Sequence, residues 1–465
     1  VTENSVPGPV VGTFTANDPD DSNGSGSYFF EIVDGESFYQ NEDFVIEGNQ
    51  LLAFSPDFET NPTYDLRVRV SDERGASFEE TFEVVVIDDP LDNEILTLGS
   101  QLIASDPGEG DSFGHALSIS GNLLAVGAKY ADLENNKTDA GASYLYRVES
   151  DGSTTFLNKL TAPDALADDR FGSSLVLSDD LLVVAAPHAV QESNSSHVGA
   201  AYLYRVDPNG SLTFLTKVSN PEGNGYVAFG ESLSVSGNLL AVGACYAKVG
   251  EYYNSGSVHL YRVEADGSAT YLSKLTAPNV VGDEWFGTSL SYSGNLLAVG
   301  AERVDLELNE EEEAWNAGAV YLYRMEENGS ATYLSQVTAP DPSGHDQFGV
   351  SVSQSGNLLA VGAKRVDTNE EEDVGAVYLY RLESNGSATH LAKIAPRDGS
   401  SADYFGDQVS LSDGLLAVGA SWSDSNWQTN VGSVYLYRVG LDGGVTTMGK
   451  LASPNGQSYD GFGSS

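Results

Sequence analysis

Carboxylates are the residues of this chain whose number and placement could do chemistry. Asp and Glu account for 68 of the 465 residues against 22 Lys and Arg, a formal net charge of −46. In the first ninety residues they gather in turn-forming stretches: Glu3 in Thr-Glu-Asn, Asp18 and Asp20 in Asn-Asp-Pro-Asp, Asp57 and Glu59 in Pro-Asp-Phe-Glu, Asp72 in Ser-Asp-Glu-Arg-Gly, then Asp88 and Asp89. Carboxylates grouped at strand ends can supply the oxygens that calcium (Ca2+) takes, about six to eight per ion at flexible geometry. Plain Asx-turns draw on the same residues. Catalytic patterns are weaker. Gly110-Asp-Ser-Phe-Gly114 has the spacing of a nucleophile elbow, but no helical segment follows it. The stretch from Gly444 to Lys450 imitates a phosphate loop but is followed by Leu451 rather than Ser or Thr. The six histidines show no His-Glu-x-x-His spacing. The expectation is a chain that is not an enzyme.

The elements that position these residues read as strands. Tyr64-Asp-Leu-Arg-Val-Arg-Val70 alternates, with Val68 and Val70 on one face and Arg67 and Arg69 on the other. About seven such runs separated by turn clusters predict a β-sandwich over residues 1–94. Residues 95–465 follow a different rule. Phe-Gly recurs at Phe113, Phe171, Phe229, Phe286, Phe348, Phe405 and Phe462, at intervals of 58, 58, 57, 62, 57 and 57. A fixed period of this size means one supersecondary unit stacked on copies of itself. In the fourth copy strand A is expected over Gly287-Thr-Ser-Leu-Ser-Tyr292 and strand B over Leu296-Leu-Ala-Val-Gly-Ala301. Strand C follows over Ala317-Gly-Ala-Val-Tyr-Leu-Tyr-Arg324, and strand D over Ala331-Thr-Tyr-Leu-Ser-Gln-Val337 after an Asn328-Gly329 hairpin turn. Four antiparallel strands per unit, without helical periodicity, predict the blades of a β-propeller. Gly300 and Gly318 are expected to let neighbouring sheets approach closely.

Two families carry these patterns. The first segment resembles the cadherin repeat. That family's opening Glu, Asp-x-Asp and Asp-Arg-Glu match Glu3, Asp18 with Asp20, and Asp57 with Glu59. Its Asp-x-Gly matches Asp72 loosely, and its closing acidic run is degenerate over Asp88, Asp89, Asp92 and Asn93. The resemblance implies calcium held by Glu3, Asp18, Asp20, Asp57, Glu59, Asp72, Asp88 and Asp89, with a neighbouring cadherin-like repeat upstream. The second segment resembles the FG-GAP repeat, the blade unit of the integrin α-subunit propeller. Its carriers are Phe286-Gly287, Ala298-Val-Gly-Ala301, and Gly318 before Val320-Tyr-Leu-Tyr323. The integrin blade has an acidic calcium loop between strands A and B; here that place holds Ser293-Gly-Asn295, so calcium there is not expected. The fold class expected is therefore all-β: a cadherin-like β-sandwich followed by an FG-GAP β-propeller. Six blades are complete within the sequence, and seven are expected in the intact protein, with a lone strand D near residues 96–104 and a strand A barely begun at Phe462.

Function is expected on the face where the B–C and D–A loops cluster, because those loops are long, variable and acidic over residues 132–139, 305–313 and 367–373, with Asp164, Asp168, Asp169, Asp341, Asp346 and Asp403. Carboxylates two before Phe (Asp111, Asp169, Glu284, Asp346, Asp403, Asp460) and the Arg that ends each strand C repeat in nearly every unit, which marks scaffold; a unique binding site would break that symmetry. The net charge argues against nucleic acid. No apolar run reaches the roughly 20 residues that span a bilayer, so membrane association is expected only through an anchor outside this sequence. A lone Cys245 excludes an intrachain disulfide. The expectation is an extracellular or cell-surface, calcium-binding adhesion protein whose loop face takes a protein or glycan. The alternatives are an accessory module of a larger secreted enzyme acting on polysaccharide or protein, and a propeller enzyme working in its central channel.

Overall fold

The computed structural model describes residues 10–16, 27–33, 44–53, 63–72, 76–85, 101–190, 197–223, 225–309, 312–326, 329–368, 371–383, 385–424, 428–440, 443–453 and 456–465. The chain divides into two compact units, and among the described residues all regular structure is strand.

The first unit contains β1 (Val10–Thr13), β2 (Tyr28–Ile32), β3 (Phe44–Glu47), β4 (Gln50–Ala53), β5 (Thr63–Asp72) and β6 (Ser77–Val85). They form two three-stranded sheets, ordered β1-β4-β3 and β2-β5-β6. Alternation in β5 puts Tyr64, Leu66 and Val68 inward and Thr63, Asp65 and Arg67 outward, as period-2 patterning requires. Phe44 and Leu51 of one sheet share a core with Tyr64, Leu66 and Val84 of the other. On the outer face Arg69 bridges Glu31 and Glu79 from the two neighbouring strands, at 2.9 and 2.7 Å.

The second unit is a run of six four-stranded antiparallel sheets with strands in the order A-B-C-D. In the fourth blade they are Leu290–Ser293, Leu296–Ala301, Ala319–Met325 and Ala331–Val337. A small hairpin, Leu306–Asn309 with Glu312–Ala314, fills its B–C loop. Strands B and D fall where the sequence predicts. Strand C starts two residues late because Gly318 has a left-handed backbone (φ 89°) and pairs instead with Phe348 of the next blade, in parallel. Gly141, Gly256, Gly375 and Gly432 make the same bridge. A Cβ on Gly318 would overlap the Phe348 carbonyl, and one on Gly300 would overlap Gly349. Close approach of the sheets therefore demands glycine at both positions.

Between blades, the phenylalanines of the second to sixth Phe-Gly pairs are fully buried. Phe348 stands edge-on to Tyr378 at 5.5 Å and Phe171 to Tyr202 at 5.4 Å, a geometry that aromatic quadrupoles favour. Strands A of successive blades pack against one another and so surround the axis. The residue three after Phe ties one blade to the next: Ser232 Oγ donates to the Gly287 carbonyl at 2.7 Å, Ser289 to Gly349 at 2.7 Å and Ser351 to Gly406 at 2.8 Å. Ser465 occupies that position after Phe462 and donates to Gly114 of the first blade at 3.1 Å. The seventh Phe-Gly is thus in register with the first. Of the lone strand D expected near residues 96–104, residues 101–104 carry no strand and the rest lie outside the described residues.

Candidate functional site

The acidic D–A loops that stand out in the sequence serve mainly as mortar. Asp106, Asp164, Asp341 and Asp398 each accept a hydrogen bond from a tyrosine of the following strand C, at 2.8–2.9 Å. Each also pairs with a lysine of the following strand D, at 2.6–2.7 Å. The tyrosine and lysine hold these carboxyls below the usual carboxylate range, against the opposing effect of desolvation. The carboxylates two before Phe turn inward to their own loops. Asp169 accepts from the Leu166 N–H, Asp346 from Ser343 and Asp403 from Ser400, at 2.7–2.8 Å. Burial pushes them up, Asp346 to about 6 and Glu284 to about 7.

Of the eight residues expected to hold calcium, the structure describes Asp72. It ends β5, and its Oδ1 accepts the Ala76 N–H at 2.7 Å. Glu3, Asp18, Asp20, Asp57, Glu59, Asp88 and Asp89 lie outside the described residues. Among the described residues no group of three or more His, Cys, Asp or Glu is placed to hold a metal ion. An open recess of about 260 Å³ in the first blade is lined by Glu109, Gly110, Tyr130, Asp132 and Asp139.

A different site lies at the channel mouth, where strands B end and strands A begin. In five blades a backbone hydrogen bond ties the second residue after strand B to the D–A loop of its own blade, as in Tyr130 to Asp111, Arg303 to Glu284, Arg365 to Asp346 and Trp422 to Asp403, at 3.2–3.4 Å. The residue just before each of the first six Phe is held at φ 53–58°, as in Arg170, Trp285, Gln347 and Tyr404. These two fixed positions set a rim of mixed side chains. Arg303 lies with its guanidinium carbon 3.6 Å from the Trp285 ring centre, and Arg365 5.5 Å from Tyr404. Trp285 packs on Tyr246 and Tyr404 on Trp422. Arg170 and Lys129 both stand over Tyr130, at 5.3 and 5.0 Å.

Beneath this rim runs a belt of charge. Lys129 Nζ is 3.0 Å from His115 Nε2; burial and that cation lower His115 to about 4, so the neutral ring accepts from the lysine. Desolvation lowers Lys129 itself, while Glu231 two blades away draws it upward. Coupling across an intervening blade is available only to groups near the axis. Glu231 is reached by solvent yet enclosed by the ring, and desolvation raises its carboxyl. Cys245, buried beside Glu231 and Glu302, is pushed up first by desolvation and then by both carboxylates, which leaves it a thiol. Glu302 is 5% exposed and raised by desolvation, with Lys364 and Arg303 opposing. Lys364 closes on Asp407 at 2.9 Å, and Ser421 donates to the same carboxylate at 2.9 Å. Nε of Arg170, Arg303 and Arg365, Nε1 of Trp285 and Oε2 of Glu302 are shielded from solvent without a hydrogen-bond partner in the protein.

Comparison with known proteins accounts for the scaffold on which this mouth is built. The FG-GAP repeat family matches residues 97–146, 154–204, 213–261, 270–323, 332–380 and 389–437. The chain belongs to the FG-GAP repeat family. A search of curated proteins finds no match. Among solved structures, a periplasmic gluconolactonase of Pseudomonas aeruginosa is similar at 16% identity and a TM-score of 0.50, over 84% of this chain and 93% of that one. At that identity the likeness is one of fold. It also corrects the expectation that this FG-GAP repeat chain is not an enzyme, since a structure of similar fold is one. The physical reason lies in the ring: the residues at the mouth come from separate blades, so the lack of a local catalytic motif excludes nothing.

Proposed function

We propose that this FG-GAP repeat protein works outside the cell as an interaction protein, binding a protein or glycan partner at the channel mouth on the loop-rich face. The observation that carries this reading is the concentration of Arg170, Arg303, Arg365 and Lys129 against aromatic rings there, in a chain of net charge −46. Arginine and aromatic side chains dominate binding hot spots because they bring large contact area and directed donors. The first segment acts as a calcium-stiffened, cadherin-like sandwich with Glu3, Asp18, Asp20, Asp57, Glu59, Asp72, Asp88 and Asp89 as ligands, and an upstream repeat completing the outer site. The ring is closed by a seventh blade that begins at Phe462; the Ser465–Gly114 hydrogen bond supports this.

Two measurements test the reading. Immobilised glycans and purified cell-surface proteins are probed with the wild-type chain, with Arg303→Glu and with Lys393→Met. Loss of binding in the mouth variant alone supports it; equal binding by all three sinks it. Thermal unfolding in calcium and then in excess chelator tests the metal, since binding to the native state alone raises the midpoint. The gain is expected to vanish in Glu59→Ala and Asp20→Ala. An unchanged midpoint in chelator leaves the acidic turns as turns.

A second reading, conversion of the bound ligand at the mouth, is favoured by Glu231 and Glu302, two carboxyls on neighbouring blades that desolvation raises, the direction proton donation requires. Turnover that is lost in Glu231→Gln while binding persists is the result that would establish it.

A further inference from the structure

Resting on the proposal that the loop face binds a partner, we infer that the mouth recognises a sugar bearing a single carboxylate, such as a terminal uronic acid residue of a glycan. The first ground is how the 22 basic residues are spent. Six end strands C and five sit in strands D, where they serve the repeat. Five of the remainder converge on one mouth from four blades. The second ground is geometry. A guanidinium matches a carboxylate with a planar fork of donors, and stacking on Trp285 fixes the plane of Arg303. Nε of Arg303 and of Arg365 and Nε1 of Trp285 are shielded and have no acceptor within the protein. Those atoms are closed to a ligand as well, but Arg303 and Arg365 are only partly buried, with Asp373 3.9 Å from an Arg365 Nη, so their guanidinium forks can still meet an acceptor from outside.

The rest of the rim says what carries that acceptor. Trp422 is 49% exposed beside Tyr404, offering a flat face of the kind on which the C–H surface of a pyranose lies. Net charge then sets a limit. The surface repels polyanions at long range, but screening over about 8 Å at physiological salt leaves one carboxylate at the mouth under the control of the local cations. A glycan with isolated acidic residues satisfies both conditions.

Isothermal titration of the full chain with D-glucuronate and D-galacturonate, against glucose, galactose and an Asp-rich peptide, tests the assignment. The uronates are expected to bind at least about tenfold more tightly than their neutral counterparts. Arg303→Gln and Arg365→Gln should each erase that preference with unfolding midpoints unchanged. Arg147→Gln should leave it intact, because Arg147 donates to the Pro208 carbonyl at the far end of strand C. If neutral sugars bind as well as uronates and Trp422→Ala weakens both alike, the carboxylate assignment falls and the glycan reading stands. If the peptide alone binds, the partner is a protein and the sugar assignment falls. If no probe binds, both fall.

Discussion

The outer rim and the channel mouth of the same blades use charge in opposite ways. At the rim, Asp164 with Tyr202 and Lys217 is repeated as Asp341 with Tyr378 and Lys393, and as Asp398 with Tyr435 and Lys450. Asp106 with Tyr144 and Lys159 makes a fourth copy; the third blade keeps a Glu222–Lys274 pair, and the fourth has Gln336 where the lysine stands. At the mouth, the position after strand B holds Lys129, Pro187, Cys245, Glu302, Lys364 and Ser421 in turn. Some partners come from another blade, as Asp407 does for Lys364, and several donors have none in the protein. The repeat spends its recurring charges on holding blades together and its non-recurring ones on a single place. In a molecule built by repetition, departure from the repeat is the signature of a site.

That contrast can be broken or sharpened by substitutions ordered by their expected effect on stability. Gly318→Ala should be the most severe. It forces a left-handed backbone on alanine and drives its Cβ into the Phe348 backbone. A loss of about 3 kcal/mol or more is expected in denaturant unfolding. A loss below about 1 kcal/mol would show that the blades have room to separate.

Glu284→Gln should act through pH. The buried Glu284 carboxyl is raised to about 7, so the folded state keeps a proton that the unfolded state releases near its ordinary 4.5. Stability from this group is therefore present at low pH, falls as pH rises from about 4.5 to about 7, and is absent above. The variant escapes that loss and should be more stable than the parent at about pH 8, by on the order of 1–3 kcal/mol, and equal to it near pH 4. Thermal melts at the two pH values decide this.

Tyr378→Phe removes the hydroxyl that donates to Asp341 at 2.9 Å and should cost about 1 kcal/mol, with partner binding unchanged. Arg303→Gln should shift stability by less than about 0.5 kcal/mol and erase the preference for a carboxylate-bearing ligand. A mouth variant that unfolds the ring, or a rim variant that spares stability and loses the partner, would reverse the division of labour drawn here.

Much of this architecture was legible in the sequence. The Phe-Gly period, the Leu-Leu-Ala-Val-Gly-Ala strands and the Asn-Gly turns are local signals, and strands B and D were placed from them to the residue. Strand C was displaced at Gly318 because its pairing partner, Phe348, lies thirty residues on in another blade, which no local pattern displays. Strand A of the second and fourth blades begins at Leu175 and Leu290, past the positive-φ glycine that follows Phe. The same distance in sequence hid the function. Asp164 and Asp341 looked available as loop carboxylates because Lys217 and Lys393 are more than fifty residues away. Lys129, Glu231, Glu302 and Asp407 looked unrelated because four blades supply them. Aligning the repeats on Phe-Gly and asking which positions change chemical class would have found them.

The residue that precedes each Phe carries a last lesson. Ser112, Arg170, Ala228, Trp285, Gln347 and Tyr404 all hold φ between 53 and 58°, and the seventh copy has Gly461 at 59°. A left-handed conformation disfavours any residue with a Cβ by about 1–2 kcal/mol. Glycine would remove that strain in every copy, but six copies keep a side chain. Since serine, arginine, alanine, tryptophan, glutamine and tyrosine adopt one backbone there, the conformation belongs to the loop and not to its occupant. Such a position is an interchangeable letter. Descendants of this chain can rewrite what the ring reads by single substitutions, one blade at a time, without relearning how to fold.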